Sequence, residues 1–263
     1  MEKIVHEKNF EQWSSLSDTY HNTRPIPPAA IINIILSWLQ AEPNTVVDVG
    51  CGTGLSTLIW NNFAGQIVGI EPNDDMREAA ERNIHADHII FQKGVSNETN
   101  LPSSCADVIT VSQAFHWMDI DSTLSEFFRV LKPGGVLAIY DFAQPPIVDW
   151  EVEKSFSELR RKCSEIVYSQ EVSPIHNDKS SYDDRIKAFG NFRYSRTVSC
   201  HSVEKWTLKK LIGFFANTSN SSFAMEIDAA IKKDIDAFLS VVKARCSDDL
   251  EIIFPYNMVI AKK

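Results

Sequence analysis

The chain is short of positive charge, of long apolar runs and of organised cysteines, and each shortage removes a class of function. Lysine and arginine total 26 against 35 aspartates and glutamates, a formal net charge of −9, and the sequence pI is about 5.3. Nucleic acid or an anionic membrane as an obligate partner needs clustered positive charge, which this balance argues against. No apolar run approaches the roughly 18–20 residues of a membrane span. The best candidate, 29–39, is short and interrupted by Asn33 and Ser37. Residues Met1 to Lys8 lack the apolar segment of a signal peptide. Five cysteines, an odd number with no CxxC pair, suggest neither a disulfide framework nor a zinc site. The expectation is a cytoplasmic chain, monomeric or homodimeric, with neither nucleic acid nor membrane as a partner. Internal repeats and low-complexity tracts are missing too.

What is present is an ordinary globular composition. At 263 residues, 44% hydrophobic and 23% charged, the chain can bury a sizeable core. Pro27 and Pro28 suit a helix start, and the spacing of Ile31, Ile34, Ile35 and Trp38 predicts an amphipathic helix over 29–40. From residue 45 short β-branched runs recur, at 45–49, 66–70, 88–91, 107–111 and 136–140. Helical stretches at 55–63, 74–83 and 121–131 separate most of them. Strands alternating with helices of this length predict βαβ units and an open, doubly wound, mostly parallel α/β sheet. The rhythm is lost over 143–190, which opens on Pro145-Pro146 and carries a helical pattern at 150–168. Ser173-Pro174 and Asn177-Asp178 mark a turn-rich break. A segment of about fifty residues is marginal alone, so it is expected to cover the sheet rather than form its own domain. Late strands at 194–200 and 252–260 flank helices at 203–215 and 224–245, and the Ser/Thr/Asn run at 217–222 is expected to be a loop.

The strongest local signal is Asp48-Val49-Gly50-Cys51-Gly52-Thr53-Gly54, at the junction of the first strand and the first following helix. Glycines there allow a tight turn and close approach of a ligand to the backbone. Glu71 closes the second strand 21 positions after Gly50, where an acid can accept hydrogen bonds from both hydroxyls of a ribose. Together they point to a nucleoside cofactor. The spacing G-x-G-x-G differs from the dinucleotide pattern G-x-G-x-x-G/A, and no Gly-Lys-Ser/Thr follows to make a P-loop.

These residues resemble motif I of the class I S-adenosylmethionine-dependent methyltransferases. Gly69-Ile70-Glu71-Pro72-Asn73 with Met76 is similar to that family's second strand and next helix. Leu101-Pro102 with Ser104-Cys105-Ala106-Asp107-Val108-Ile109 resembles the approach to strand four, and Arg129-Val130-Leu131-Lys132-Pro133-Gly134-Gly135 the turn before strand five. Gln113-Ala114-Phe115-His116-Trp117-Met118-Asp119 resembles the small-molecule branch that includes trans-aconitate methyltransferase, as does Tyr20 with Arg24-Pro25. The resemblance is firm over 44–142, weaker over 10–28 and 194–260, and absent over 145–190. It implies a seven-stranded sheet whose last strand is antiparallel and lies beside the fifth. It also implies one domain over 1–263, with a cofactor-binding core at 44–142, an N-terminal cover at 1–43 and a substrate-side insertion at 143–193. The implied activity is methyl transfer from S-adenosylmethionine, leaving S-adenosylhomocysteine, to a small molecule at an oxygen such as a carboxylate or hydroxyl.

The residue roles implied are these. Gly50, Gly52 and Gly54 make room for the cofactor, and Glu71 with Pro72 holds the ribose. Asp48 belongs to the cofactor site as a group orienting the turn and helix. Val95 and Ser96 offer backbone to the adenine, although Asn97 stands where the family often has an acid. Gln113 and Ala114 line the crevice at the end of strand four. Tyr20 and Arg24 fold over the site, Arg24 pairing a carboxylate, or else merely tether the N-terminal helix. His116 is a candidate base or acceptor-binding group, and Trp117 a candidate pocket wall; the alternatives are a rim histidine and a packing aromatic. Cys51 needs only to be small, and no metal is expected from the histidine spacing. An NAD-dependent oxidoreductase and a non-catalytic cofactor-binding protein are competing readings. The Asp/Asn-Pro-Pro-aromatic signature of amino-group methylation of nucleic acids is missing after strand four, where Ser112-Gln113-Ala114-Phe115 stands.

Overall fold

A computed structural model of the chain describes residues 21–169, 177–216 and 219–263. Seven strands form one sheet: β1 (Thr45–Val49), β2 (Gln66–Ile70), β3 (Ile89–Gln92), β4 (Ala106–Ser112), β5 (Leu131–Phe142), β6 (Tyr194–Trp206) and β7 (Leu250–Lys262). Their order is β3-β2-β1-β4-β5-β7-β6. The pairs from β3 through β5 are parallel, and β7 enters antiparallel between β5 and β6. Parallel strands are buried on both faces, and the β-branched runs serve that need: Val46, Val47 and Val49 are at most 1% exposed. Two apolar clusters result. One holds Val46, Val136 and Tyr140, the other Val47, Ile109 and Leu137.

The helices are α1 (Ala29–Leu39), α2 (Leu55–Leu58), α3 (Asp74–Asn83), α4 (Ile120–Val130), α5 (Trp150–Tyr168), α6 (Tyr182–Phe189), α7 (Leu208–Ala216), α8 (Ser219–Ile227) and α9 (Lys232–Arg245). Side-chain caps set several starts, since an N-cap oxygen satisfies an orphan N–H. Asn73 accepts from the Met76 N–H at 2.9 Å, and Asp119 from the Ser122 N–H at 3.0 Å. Asp149 caps α5 in the same way. Among the described residues no helix is long and apolar enough to cross a membrane.

Five expectations need correction. The helix predicted over 55–63 is one turn at Leu55–Leu58, continued by hydrogen-bonded turns. The Lys132-Pro133-Gly134-Gly135 turn lies inside β5 as an irregularity: Ala106 pairs Leu131 while Val108 pairs Val136, so the intervening residues bulge out. Residues 203–206, predicted helical, continue β6, because Trp206 pairs Leu250 at the far end of a thirteen-residue ladder. Residues 219–222, predicted as loop, belong to α8, and the predicted helix over 224–245 is α8 and α9 separated by a tight 3-10 turn at Ala229–Ile231. The Ser173-Pro174 break lies outside the described residues.

Candidate functional site

The strand order reverses direction between β1 and β4, the place where open α/β sheets bind ligands at the carboxyl ends of their strands. The glycine turn sits there. Gly50, Gly52 and Gly54 have φ of +71°, +55° and +84°, conformations that disfavour any Cβ. Their surroundings differ. A Cβ on Gly50 would lie 2.6 Å from Ala114 Cβ, and one on Gly54 2.5 Å from Ile84 Cδ1. A Cβ on Gly52 would meet no described atom within 4 Å. Gly50 and Gly54 therefore make room for neighbouring protein, and Gly52 is the member of the trio whose face is open. The Gly50 and Cys51 N–H groups both donate to the Ile70 carbonyl, at 2.8 and 3.1 Å, which ties the turn to the end of β2.

Glu71 follows that strand end. Its Oε2 accepts from the Gly52 N–H and its Oε1 from the Asn73 N–H, each at 2.9 Å. The residue is 8% exposed. Burial pushes its carboxyl up to about 7, against the pull of the two backbone N–H donors. The 19 positions between Gly52 and Glu71 thus close to a direct hydrogen bond across the turn.

Asp48 is fully buried, and its oxygens are occupied. Oδ2 accepts from Ser56 Oγ and Thr57 Oγ1 at 2.7 Å, and Oδ1 from Thr110 Oγ1 at 2.9 Å. One carboxylate therefore joins β1, the start of α2 and β4. Burial raises its pKa, with the three hydroxyls opposing. Burial likewise pushes the Cys51 thiol up, in keeping with a packing role.

The other predicted positions fall on several elements. His21, not anticipated from sequence, places Nδ1 3.2 Å from Thr53 Oγ1. Arg24 is buried, with its guanidinium carbon 5.6 Å from the centroid of the Phe214 ring. Tyr20 lies outside the described residues. After β3, Val95 bridges to Glu98, and Ser96 Oγ is 2.8 Å from Thr123 Oγ1, fastening this loop to α4. Gln113 follows β4 at φ +56° and donates its N–H to the Tyr140 carbonyl at 3.2 Å. Such a conformation in a non-glycine residue is strained and clusters at functional sites. His116 is buried in a 3-10 turn with part-exposed Trp117, their ring centroids 4.7 Å apart.

The sequence reading missed three residues that the fold brings beside Gln113 and His116. Asp141, near the end of β5, is buried and receives Lys179 Nζ at 2.8 Å. Asn177 donates its N–H to the His116 carbonyl at 2.9 Å and its side-chain amide to the Met118 carbonyl at 2.8 Å. An acid directly after the apolar run 136–140 was the one available signal, and Lys179 and Asn177 had none. The run Arg160-Arg161-Lys162 is paired: Arg160 donates to the Gln144 carbonyl, Arg161 to Glu165 and Lys162 to Asp234.

Comparison with known proteins places this geometry in context. Residues 47–139 match a family described as "Methyltransferase domain". The chain is similar to a Dictyostelium discoideum protein named as a methyltransferase, 24% identical over 260 residues, covering 96% of this chain and 95% of that one. It is also similar to a Saccharomyces cerevisiae protein named as an S-adenosylmethionine-dependent methyltransferase, 28% identical over 149 residues. That alignment covers 54% of this chain and about half, 49%, of the yeast protein. A solved structure from Anaeromyxobacter dehalogenans, named as a type II methyltransferase, superposes with a TM-score of 0.72 at 19% identity. It covers 91% of this chain and 97% of that one, which bears on the fold.

Proposed function

Because the chain belongs to the class I S-adenosylmethionine-dependent methyltransferases, an enzyme family whose cofactor is S-adenosylmethionine, we propose that it methylates a small-molecule acceptor at an oxygen such as a carboxylate or hydroxyl. The observation that carries the reading is the bond from the Gly52 N–H to Glu71 Oε2 beside the open face of Gly52. A buried carboxylate against a bare backbone fits a nucleoside with its ribose at Glu71. Glu71, Gly52, Pro72, Gln113 and Ala114 would hold the sugar and the amino-acid portion. Val95 and Ser96 would meet the base. Asp48, Gly50 and Gly54 serve the site by fixing the turn. Tyr20 and Arg24 remain proposed as the N-terminal cover.

Bound here, the cofactor supplies an electrophilic methyl group on a sulfonium. What this chain contributes is placement and dryness, since orientation alone lowers a barrier by several kcal/mol. Glu71 would accept both ribose hydroxyls while keeping its backbone donors. His116 would take a proton on its imidazole from a hydroxyl acceptor; a carboxylate acceptor needs no base. Trp117 would wall the acceptor. The segment 177–182 is fastened onto residues 113–118, and a cover placed there would suit a small acceptor. The proposed likeness to the trans-aconitate branch rests instead on Gln113-Ala114-Phe115-His116-Trp117-Met118-Asp119 and on Tyr20 with Arg24-Pro25. We also infer that 1–263 act as one domain, with core 44–142, cover 1–43 and insertion 143–193. The test is calorimetric binding of S-adenosylhomocysteine, then transfer of labelled methyl from S-adenosylmethionine to a panel of small carboxylic acids and phenols. Binding of a nicotinamide cofactor without S-adenosylhomocysteine, or transfer to none of the panel, would overturn the reading.

A further inference from the structure

Polar and ring contacts of residues 177–182 converge on one place. Asn177 holds the carbonyls of His116 and Met118, Lys179 meets Asp141, and the Tyr182 ring packs edge-on to Phe115 with centroids 4.9 Å apart. Asp141 has a side chain only 9% exposed, against 37% for Lys179. Lys179 Nζ, at 2.8 Å, is the ion-pair partner of this buried carboxylate.

Gln113 joins this pair in either orientation of its amide. Turned to satisfy both ends, it donates to Asp141 Oδ1 at 3.2 Å and accepts from the Phe142 N–H. Turned the other way, its oxygen lies 3.3 Å from Lys179 Nζ. Its backbone is in a left-handed conformation that persists only where surroundings enforce it. The next residue, Ala114, is the wall against which Gly50 packs, 2.6 Å from the place a Cβ would occupy. A line of direct contacts therefore runs from the insertion through two strand tips to the glycine turn.

We propose that Lys179 is a positioning residue for methyl transfer: through Asp141 and Gln113 it holds the 113–118 segment in the conformation that lines both the acceptor crevice and the glycine turn. This rests on the methyltransferase reading above. Lys179 sits on a partly exposed 3-10 turn, Lys179–Ser181, outside both apolar clusters. Its loss should therefore loosen the strand tip and leave the core alone.

The experiment compares wild type with Lys179→Met and Lys179→Arg by amide hydrogen exchange, free and with S-adenosylhomocysteine, and by kinetics with the fastest acceptor from the panel. Lys179→Met is expected to speed exchange of peptides spanning 113–118 about tenfold or more, with β1 peptides and the melting temperature nearly unchanged. Turnover should fall about tenfold with KM for S-adenosylmethionine within about threefold, and Lys179→Arg should restore both. Unchanged exchange over 113–118 overturns the proposal. So does faster exchange spread equally over β1 and β4 with a lowered melting temperature, because Lys179 would then be a general staple. Should the methyltransferase reading fail, the wild type itself shows no ligand binding and no turnover, whereas the exchange comparison still reports on Lys179.

Discussion

Glu71 is where the chemistry of a single side chain has the most to say. Its carboxyl is raised from 4.5 to about 7, so between those values the folded protein holds a proton that the unfolded chain has released. The associated stability is complete below about pH 4.5 and is lost as pH rises through about 7, roughly 3 kcal/mol in all. Urea midpoints at pH 5 and 7.5 should show this decline, and Glu71→Gln should flatten it. Under the proposed ribose role of Glu71, binding runs the other way, because ribose hydroxyls would need the ionised oxygens. Affinity for S-adenosylhomocysteine should rise roughly five- to tenfold from pH 6 to 7.5 in wild type, from the ionised fraction at such a pKa. It should barely change in Glu71→Gln, which binds about 1–3 kcal/mol more weakly at pH 7.5. The two glycines flanking Thr53 separate fold from ligand. Gly54→Ala, with φ +84° and a Cβ contact at 2.5 Å, should lower stability by about 1–3 kcal/mol. Gly52→Ala has open space around its Cβ and should weaken ligand binding more than it lowers the melting temperature. Calorimetry on the pair distinguishes these effects.

Among the elements, the βαβ core was readable because β-branched runs and parallel burial are the same fact seen twice, as Val46, Val47 and Val49 illustrate. Caps are local signals too, which the sequence reading did not use: Asn73 and Asp119 stand immediately before their helices. What escaped was long-range. Nothing near Val203 says that its partner is Ile253, so a strand end was taken for a helix start. Lys179 finds Asp141 38 positions away across an insertion with no periodic signal. The proposed site divides the same way, its proposed cofactor half local to the β1 and β2 ends and its proposed acceptor half including contacts from the insertion. One tie between a loop and α4 yields an acid-limb prediction. Glu126 accepts from Arg129 at 2.7 Å and from the Thr99 N–H at 3.0 Å. Arg129 above all, then Thr99, holds its carboxyl at about 2. The lowered value means stability that is present above about pH 4.5 and drains away as pH falls toward 2. Acid titration followed by near-ultraviolet circular dichroism should show a later transition for wild type than for Arg129→Met.

For the molecule as a whole, β7 completes the sheet. It pairs with β5 over seven positions and with β6 over thirteen, and Ile260 is fully buried between them. Ile260→Ala should cost about 2–5 kcal/mol, measurable as a cooperative shift of the entire denaturation curve rather than a local loosening. The insertion of β7 between β5 and β6 also has a temporal side. Roughly a hundred residues separate the end of β5 from the start of β7. At translation rates of about 5–20 residues per second, the nascent chain carries a finished five-stranded half with a bare backbone flank for about 5–20 s. Ribosome-bound chains stalled within that interval should be the ones that recruit chaperones.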